Sequence, residues 1–465
     1  MRNLLSEYYG TPLIPRVAYR SEGFKNDAGF FRFGPDLVCY GECSRGVAND
    51  ISNSEAFDVS KAVTIANAEL HLPFDIGNVI ENLRRERYLR KLSGGPKGVT
   101  QRAWIRRCYY SVRELLPIWF RRYLQRAYLK DWRTLQFPHW PVDFTVDSLH
   151  ESLMRMTMIA QGRDRVPFIW FWPEGAPSCL ILTHDVETAA GRDFCPSLMD
   201  IDVSHGFRAS FQVVPERRYN VPDSYVNEIR TRGFEFNVHD LNHDGRLFEE
   251  KTEFLRRAKQ INEYAKKYEA RGFRSGAMYR NQDWFEALEF SYDMSVPNVA
   301  HLEPQRGGCC TVMPYFIGKI LELPVTTSQD YTMFQILRKY SIDLWKEQVD
   351  LIRGRNGLIS FITHPDYLLE RRARSVYESL LVYLRGLCTQ YGIWEALPAQ
   401  LDRWWRARSA MKLIKDNKGY RIEGPECERA CIAYATLDGE RVVYSVDKNS
   451  AVLGHQGSVD SEFRS

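Results

Sequence analysis

From residue 178 to residue 363 the sequence switches repeatedly between two periods. The runs SCLILT (178–183), GFRASFQVV (206–214), GFEFNV (233–238), GFRSGAM (272–278), FSYDM (290–294), LELPVT (321–326) and GLISFIT (357–363) read as strands. Helical spacing fills several of the gaps, as in EEKTEFLRRAKQINEYAKKYEA and SIDLWKEQVDLIRG. Strands alternating with helices form parallel crossover units, and six or more of them from one region predict a barrel-like or doubly wound α/β domain.

In such a barrel the C-terminal strand ends carry the active site, so the residues after each run test the reading. The first run leads into Thr183, His184, Asp185, Val186 and Glu187, and the third into His239, Asp240, Leu241, Asn242 and His243. The fourth carries Arg274, the fifth presents Asp293 and the last delivers His364, Pro365 and Asp366. Four of the ten histidines fall at three of these ends. A His-x3-His pair on a helically turning backbone points both rings to one side, where they can share a cation at about 2.0–2.1 Å. One carboxylate from Asp185 or Glu187 would complete three protein ligands and leave a position open, the pattern of a catalytic zinc rather than a structural one. A hydrogen-bonded loop pair and a helix N-cap are the structural alternatives for the same residues. The combination at neighbouring strand ends favours the metal and, with it, a hydrolase.

The motifs LTHDVE, VHDLNH, GFRSGAMYRN and LISFITHPDY, in this order and over about residues 165 to 400, resemble the polysaccharide deacetylase family, the NodB-like carbohydrate esterases. The resemblance implies a deformed (β/α) barrel and removal of acetyl groups, mostly N-acetyl from sugars, with a divalent metal, zinc first. It assigns Asp185 as the base, His239 and His243 as metal ligands, and Arg274 as the cation that keeps the base ionised. His364 becomes the acid for the departing amine with Asp293 as its carboxylate partner, and Asn281 and Trp284 become residues lining the cleft. Two positions depart from the pattern. Val186 stands where the metal-binding acid usually is, which shifts that role to Glu187, and Gly276 stands where proline is usual. His184 is expected to be structural or to support the site from behind, and His205 and His301 have no motif.

The implied function is removal of N-acetyl groups from a polysaccharide or amino sugar, in cell-surface polysaccharide metabolism by analogy alone, with a polysaccharide or a lipid-linked amino sugar as the substrate partner. A formyl or ureide amide on the same barrel, or a carbohydrate-binding relic without activity, are the competing readings.

At 465 residues the chain suits two or three domains, and 26% charged with 44% hydrophobic residues is the balance of a folded soluble protein. Residues 1–83 suggest a small β-rich unit, 84–140 a basic aromatic helical segment, 141–411 the barrel and 412–465 a β-hairpin appendage with a tail. The formal charge of +4 conceals a window, residues 84–133, with 15 Lys or Arg against 3 acidic residues. Within it WIRRCYYSVRELLPIWFRRYLQRAYLKDW reads as amphipathic helix bent near Pro117. The stretch 102–133 suits peripheral contact with an anionic membrane or, as the plainer reading, cover for a neighbouring domain; nucleic acid is not an expected partner. The start lacks a secretory leader and no run is long enough to span a bilayer, so the expected location is the cytoplasm, at most against the inner membrane surface. The Cys39/Cys43 and Cys427/Cys431 pairs read as buried thiols in preference to a four-thiolate zinc site.

Overall fold

The computed structural model describes residues 4–13, 16–19, 28–49, 51, 58–89, 116–417 and 419–447. Its centre is a curled sheet of β1 (Cys179–Val186), β2 (Ser210–Val213), β3 (Glu235–His239), β4 (Gly272–Arg274), β5 (Tyr292–Asp293), β6 (Tyr315–Ile317), β7 (Ile320–Glu322) and β8 (Leu358–Thr363). The strand order is β6-β7-β5-β4-β3-β2-β1-β8, parallel throughout except for the β6–β7 hairpin at one edge. A short β9 (Trp394–Glu395) also pairs with β1, beside its first two residues. Between the two ends of this path, Thr326 and Thr327 donate their hydroxyls to the carbonyls of Leu358 and Ser360. These side-chain bonds and a single backbone one, Thr327 N to the Ser360 carbonyl at 3.3 Å, rather than a strand ladder, therefore close this deformed (β/α) barrel.

Helices α1 (Ala189–Ser204), α2 (Asp223–Thr231), α3 (Lys251–Lys267), α4 (Asp343–Arg353), α5 (Arg371–Tyr391) and α6 (Pro398–Ala410) follow the strands. In α3 the buried positions Phe254, Ala258, Ile261 and Ala265 recur at helical spacing, and the Glu250 side chain accepts from Thr252 N and Glu253 N to cap the start. A fully buried isoleucine such as Ile261 contributes about 1.5–3 kcal/mol to holding this helix on the sheet.

Strand alternation divides the barrel residues between two sides. Leu180, Leu182, Val186, Phe211, Val213, Phe236, Val238 and Phe273 face the helices in one apolar layer. Cys179, Ile181, Tyr292, Met294, Leu321 and Leu358 belong to a second layer that also contains Leu5, Phe30, Phe74, Val79 and Phe168. The N-terminal unit, with strands Gly29–Arg32 and Val38–Gly41 and helix Ile76–Arg84, thus shares its core with the interior near the beginnings of the strands. Polar interior residues accumulate toward the opposite, C-terminal ends.

The flanking regions are tied to the barrel rather than appended to it. Strand Arg165–Ile169 pairs with Ile432–Asp438, which pairs with Arg441–Asp447, so the C-terminal hairpin completes a sheet begun before β1. Glu86, just past helix Ile76–Arg84, pairs with the buried Arg280 and accepts from Gly308 N. In the basic segment, Pro117 precedes helix Ile118–Tyr128 instead of bending it; residues 90–115 lie outside the described residues. Arg306 bonds Asp131 and the Tyr128 carbonyl, and Trp132 packs edge-on against Trp140. These contacts are those of a segment covering the neighbouring domain, although Tyr123 remains 58% exposed. Among the described residues no helix is long and apolar enough to cross a membrane.

Candidate active site

The end of β1 sets the site. The alternation that turns Val186 into the outer apolar layer puts Thr183, Asp185 and Glu187 on the opposite side, toward the interior. An acid at position 186 would face the helices, so in this backbone the position two residues after Asp185 is the one that reaches the cleft. Beyond Glu187 the chain turns at once into α1, whose start is capped by Thr188 Oγ1 accepting from Gly191 N at 3.0 Å.

His239 ends β3, and its Nδ1 lies 3.1 Å from the Arg274 carbonyl, which leaves Nε2 for the cleft. The expected helical turn from His239 to His243 does not form. Asp240 and His243 both take left-handed backbone angles, with φ of 58° and 53°, and this irregular loop brings the second ring back beside the first at a centroid separation of 4.9 Å. Gly276 leaves room for that arrangement. A Cβ there would stand 2.4 Å from Asp240 Oδ2 and 2.9 Å from His243 Cδ2, so the proline usual at this motif position has no space here.

Glu187 Oε1 lies 2.8 Å from His243 Nε2, 3.7 Å from His239 Nε2 and 3.6 Å from His364 Nε2. One ligand atom each from Glu187, His239 and His243 falls within 4.8 Å of the others, the group of this kind found among the described residues. His239 Nε2 and both ring nitrogens of His243 are buried without a hydrogen-bond partner. Buried imidazole nitrogens left without a hydrogen bond beside a carboxylate are costly unless something binds them. Two imidazoles and one carboxylate fit a divalent cation of the zinc type with an open position.

Asp185 stands beside this trio, with Oδ2 3.8 Å from His239 Nε2. Its other oxygen accepts from Arg274 Nη1 at 2.6 Å. Arg274 is fully buried and is aimed by two further bonds, Nη1 to Thr183 Oγ1 at 2.8 Å and Nε to the Met294 carbonyl at 2.9 Å. Burial works to raise the Asp185 carboxyl, but the Arg274 guanidinium and the His239 and His364 imidazoles outweigh it and hold it below its usual range. Burial likewise opposes charge on Glu187, yet the attraction of His243 first, and the close approach of the His239 and His364 imidazoles next, keep it well below the ordinary carboxylate range. His364 moves the other way. Burial would lower it, while Asp330 first and Glu187 next raise it well above the normal imidazole value.

The carboxylate behind His364 is therefore Asp330 and not Asp293. Asp330 Oδ1 lies 2.6 Å from His364 Nδ1, and Oδ2 accepts from His364 N at 2.7 Å. Asp293 sits on β5 between the interior residues Tyr292 and Met294, so its side chain points outward, where it accepts from Ser295 N and Oγ and neighbours Glu322 on β7. Asp330 follows β7 by eight residues, in SQDYT; extending the search of the strand ends past LELPVT would have reached it.

Asn281 and Trp284 have structural contacts. The Asn281 side chain accepts from Asp283 N to cap a short turn, and Trp284 packs on Phe248 and Phe254 in the outer layer. His184, on the outer side of β1, is buried between Thr363 Oγ1 at 2.7 Å and Asp202 Oδ2 at 2.9 Å, as a structural histidine would be. Cys39, Cys43 and Cys431 are buried and Cys427 is partly exposed, and none of the four is in a disulfide.

No protein-family model matches the chain, and no curated protein is similar to it in sequence. Solved structures similar to it include a candidate polysaccharide deacetylase from Mycobacterium smegmatis, 17% identical, covering 51% of this chain and 93% of that one with a TM-score of 0.42. A peptidoglycan deacetylase from Bacillus subtilis is 12% identical, covering 50% and 93% with a TM-score of 0.31. A CE4 family pseudoenzyme from Bacillus anthracis is 13% identical, covering 48% and 65% with a TM-score of 0.30. At these values the similarity gives no residue a role, and the site stands on its own geometry.

Proposed function

We propose that the chain is a metal-dependent hydrolase of the polysaccharide deacetylase type, removing N-acetyl groups from a polysaccharide or an amino sugar. The observation that carries this reading is the meeting in one buried cleft of a three-ligand set, Glu187, His239 and His243, with a carboxylate held ionised by Arg274 and an imidazole held protonated by Asp330. A divalent cation on those three ligands, zinc first among the candidates, would polarise the acyl oxygen and offset the negative charge that develops on it.

The chain's own residues supply the proton transfers. Asp185, kept charged by the buried Arg274, takes a proton from the attacking water. His364, whose Nδ1 is fixed by Asp330, presents Nε2 to the cleft and gives its proton to the departing nitrogen. One group is driven toward the base and the other toward the acid, the division that amide hydrolysis near neutral pH requires. The Asp330 contact also sets which imidazole nitrogen faces the substrate.

The choice of a sugar amide rests on the ordered motifs LTHDVE, VHDLNH, GFRSGAMYRN and LISFITHPDY, which contribute to this one cleft. Among the described residues the cysteines form no disulfide, in keeping with a reducing compartment such as the cytoplasm. The test is acetate release from N-acetylated oligosaccharides by the purified protein, together with its metal content. Asp185→Asn should retain metal and lose turnover, whereas His239→Ala should lose both. Full activity in both variants overturns the proposal.

A further inference from the structure

The geometry points to Tyr219 as a positioning residue for Glu187, fixing the one metal-ligand candidate that lies neither in a strand nor in the His239–His243 loop; the inference rests on the metal site proposed above. Val186 and Val213 are the last paired residues of β1 and β2. Just past them, the Tyr219 hydroxyl donates to the Val186 carbonyl at 2.5 Å and accepts from Val214 N at 3.1 Å. One side chain thus fastens the two strand ends together and holds the peptide group that leads into Glu187. On the other side Thr188 is pinned as the cap of α1.

Glu187 is therefore a single residue between two anchored neighbours. That restraint matters because a glutamate has one more rotatable bond than an aspartate and loses more freedom when its carboxylate is fixed. With the backbone held on both sides, only side-chain torsions remain to be ordered when the carboxylate meets His239 and His243. The Tyr219 ring packs against the outer apolar layer, so replacing it with phenylalanine keeps the packing and deletes only the hydroxyl.

The experiment measures zinc affinity of metal-stripped protein by competition with a chromophoric chelator, beside the melting temperature of the same metal-free samples. Tyr219→Phe should weaken zinc about 10- to 100-fold, the range seen when a residue supporting a metal ligand is removed. Thr188→Val, which releases the other anchor, should also weaken zinc and keeps the test open should Tyr219→Phe fail to fold. Tyr377→Phe deletes a comparable buried hydroxyl that bonds Asp202 behind His184, and should leave zinc affinity unchanged. In a Glu187→Gln background Tyr219→Phe should cause no further loss. A wild-type affinity in both Tyr219→Phe and Thr188→Val, or an equal added loss in the Glu187→Gln background, overturns the role of Tyr219. Absence of zinc binding by the wild type overturns the metal site itself and the inference with it.

Discussion

Restoring the residue expected from the family pattern at position 276 should damage this protein, and the smallest version of that change is Gly276→Ala. Gly276 does not occupy the left-handed region, so alanine can adopt its backbone and the effect is confined to the added methyl group. That carbon would lie 2.4 Å from Asp240 Oδ2, about 1 Å inside ordinary van der Waals contact, and 2.9 Å from His243 Cδ2. Asp240 cannot swing into solvent: it is fully buried, its Oδ1 accepts from Leu241 N and its own N–H donates to the Arg274 carbonyl. His243 is the neighbour left to move, away from Glu187. Overpacking of this kind costs about 1–3 kcal/mol; expressed wholly at the metal ligands, about 2 kcal/mol corresponds to a roughly 30-fold weaker ion. Chelator competition on metal-stripped protein reads the affinity, and a thermal melt reads whatever share of the strain falls on the fold. Adding Asp240→Ala removes the nearest atom and should recover part of the loss. Unchanged affinity together with an unchanged melting temperature in Gly276→Ala would refute the steric argument.

Other changes separate the proton-transfer groups from the framework. Asp330→Asn should lower kcat for acetate release at least 10-fold with metal content intact, because His364 loses the charge that keeps it protonated; the matching change Asp293→Asn should leave the pH dependence of kcat where it was. Arg274→Met should leave Asp185 beside two imidazoles but without its guanidinium, lowering activity and shifting the acid limb of the pH–rate profile upward. Removing Glu86 as Glu86→Ala leaves Arg280 as a buried, unpaired charge and should destabilise the fold by about 3–5 kcal/mol, seen as a lower urea midpoint.

What the sequence made legible followed from strict periodicity. All seven strand-like runs overlap barrel strands, and the residues at or just past the strands' C-terminal ends, Asp185, Glu187, His239, His243, Arg274 and His364, converge in the cleft. The misreadings have physical causes. Asp293 lies on a two-residue strand, too short for its facing to be read from alternation, and a single step of register sends its carboxylate outside the barrel. Asp330 opens a helical turn eight residues beyond β7, which no strand period governs. The turn between His239 and His243 depends on two non-glycine residues held at positive φ, an arrangement imposed by surrounding contacts rather than by local propensity. The separation of an N-terminal unit from the barrel looked natural from composition, but Leu5, Phe30 and Val79 share one core with Ile181, Tyr292 and Leu358.

In the proposed function, Glu187, His239 and His243 hold the ion on which hydrolysis depends. Its most direct test is a zinc titration of metal-stripped protein while acetate release from an N-acetylated oligosaccharide is followed. No release is expected before addition, then a linear rise and a plateau at one zinc per chain. Release that is independent of zinc, or zinc bound at that ratio with the same affinity by Glu187→Gln and His243→Ala, would contradict it.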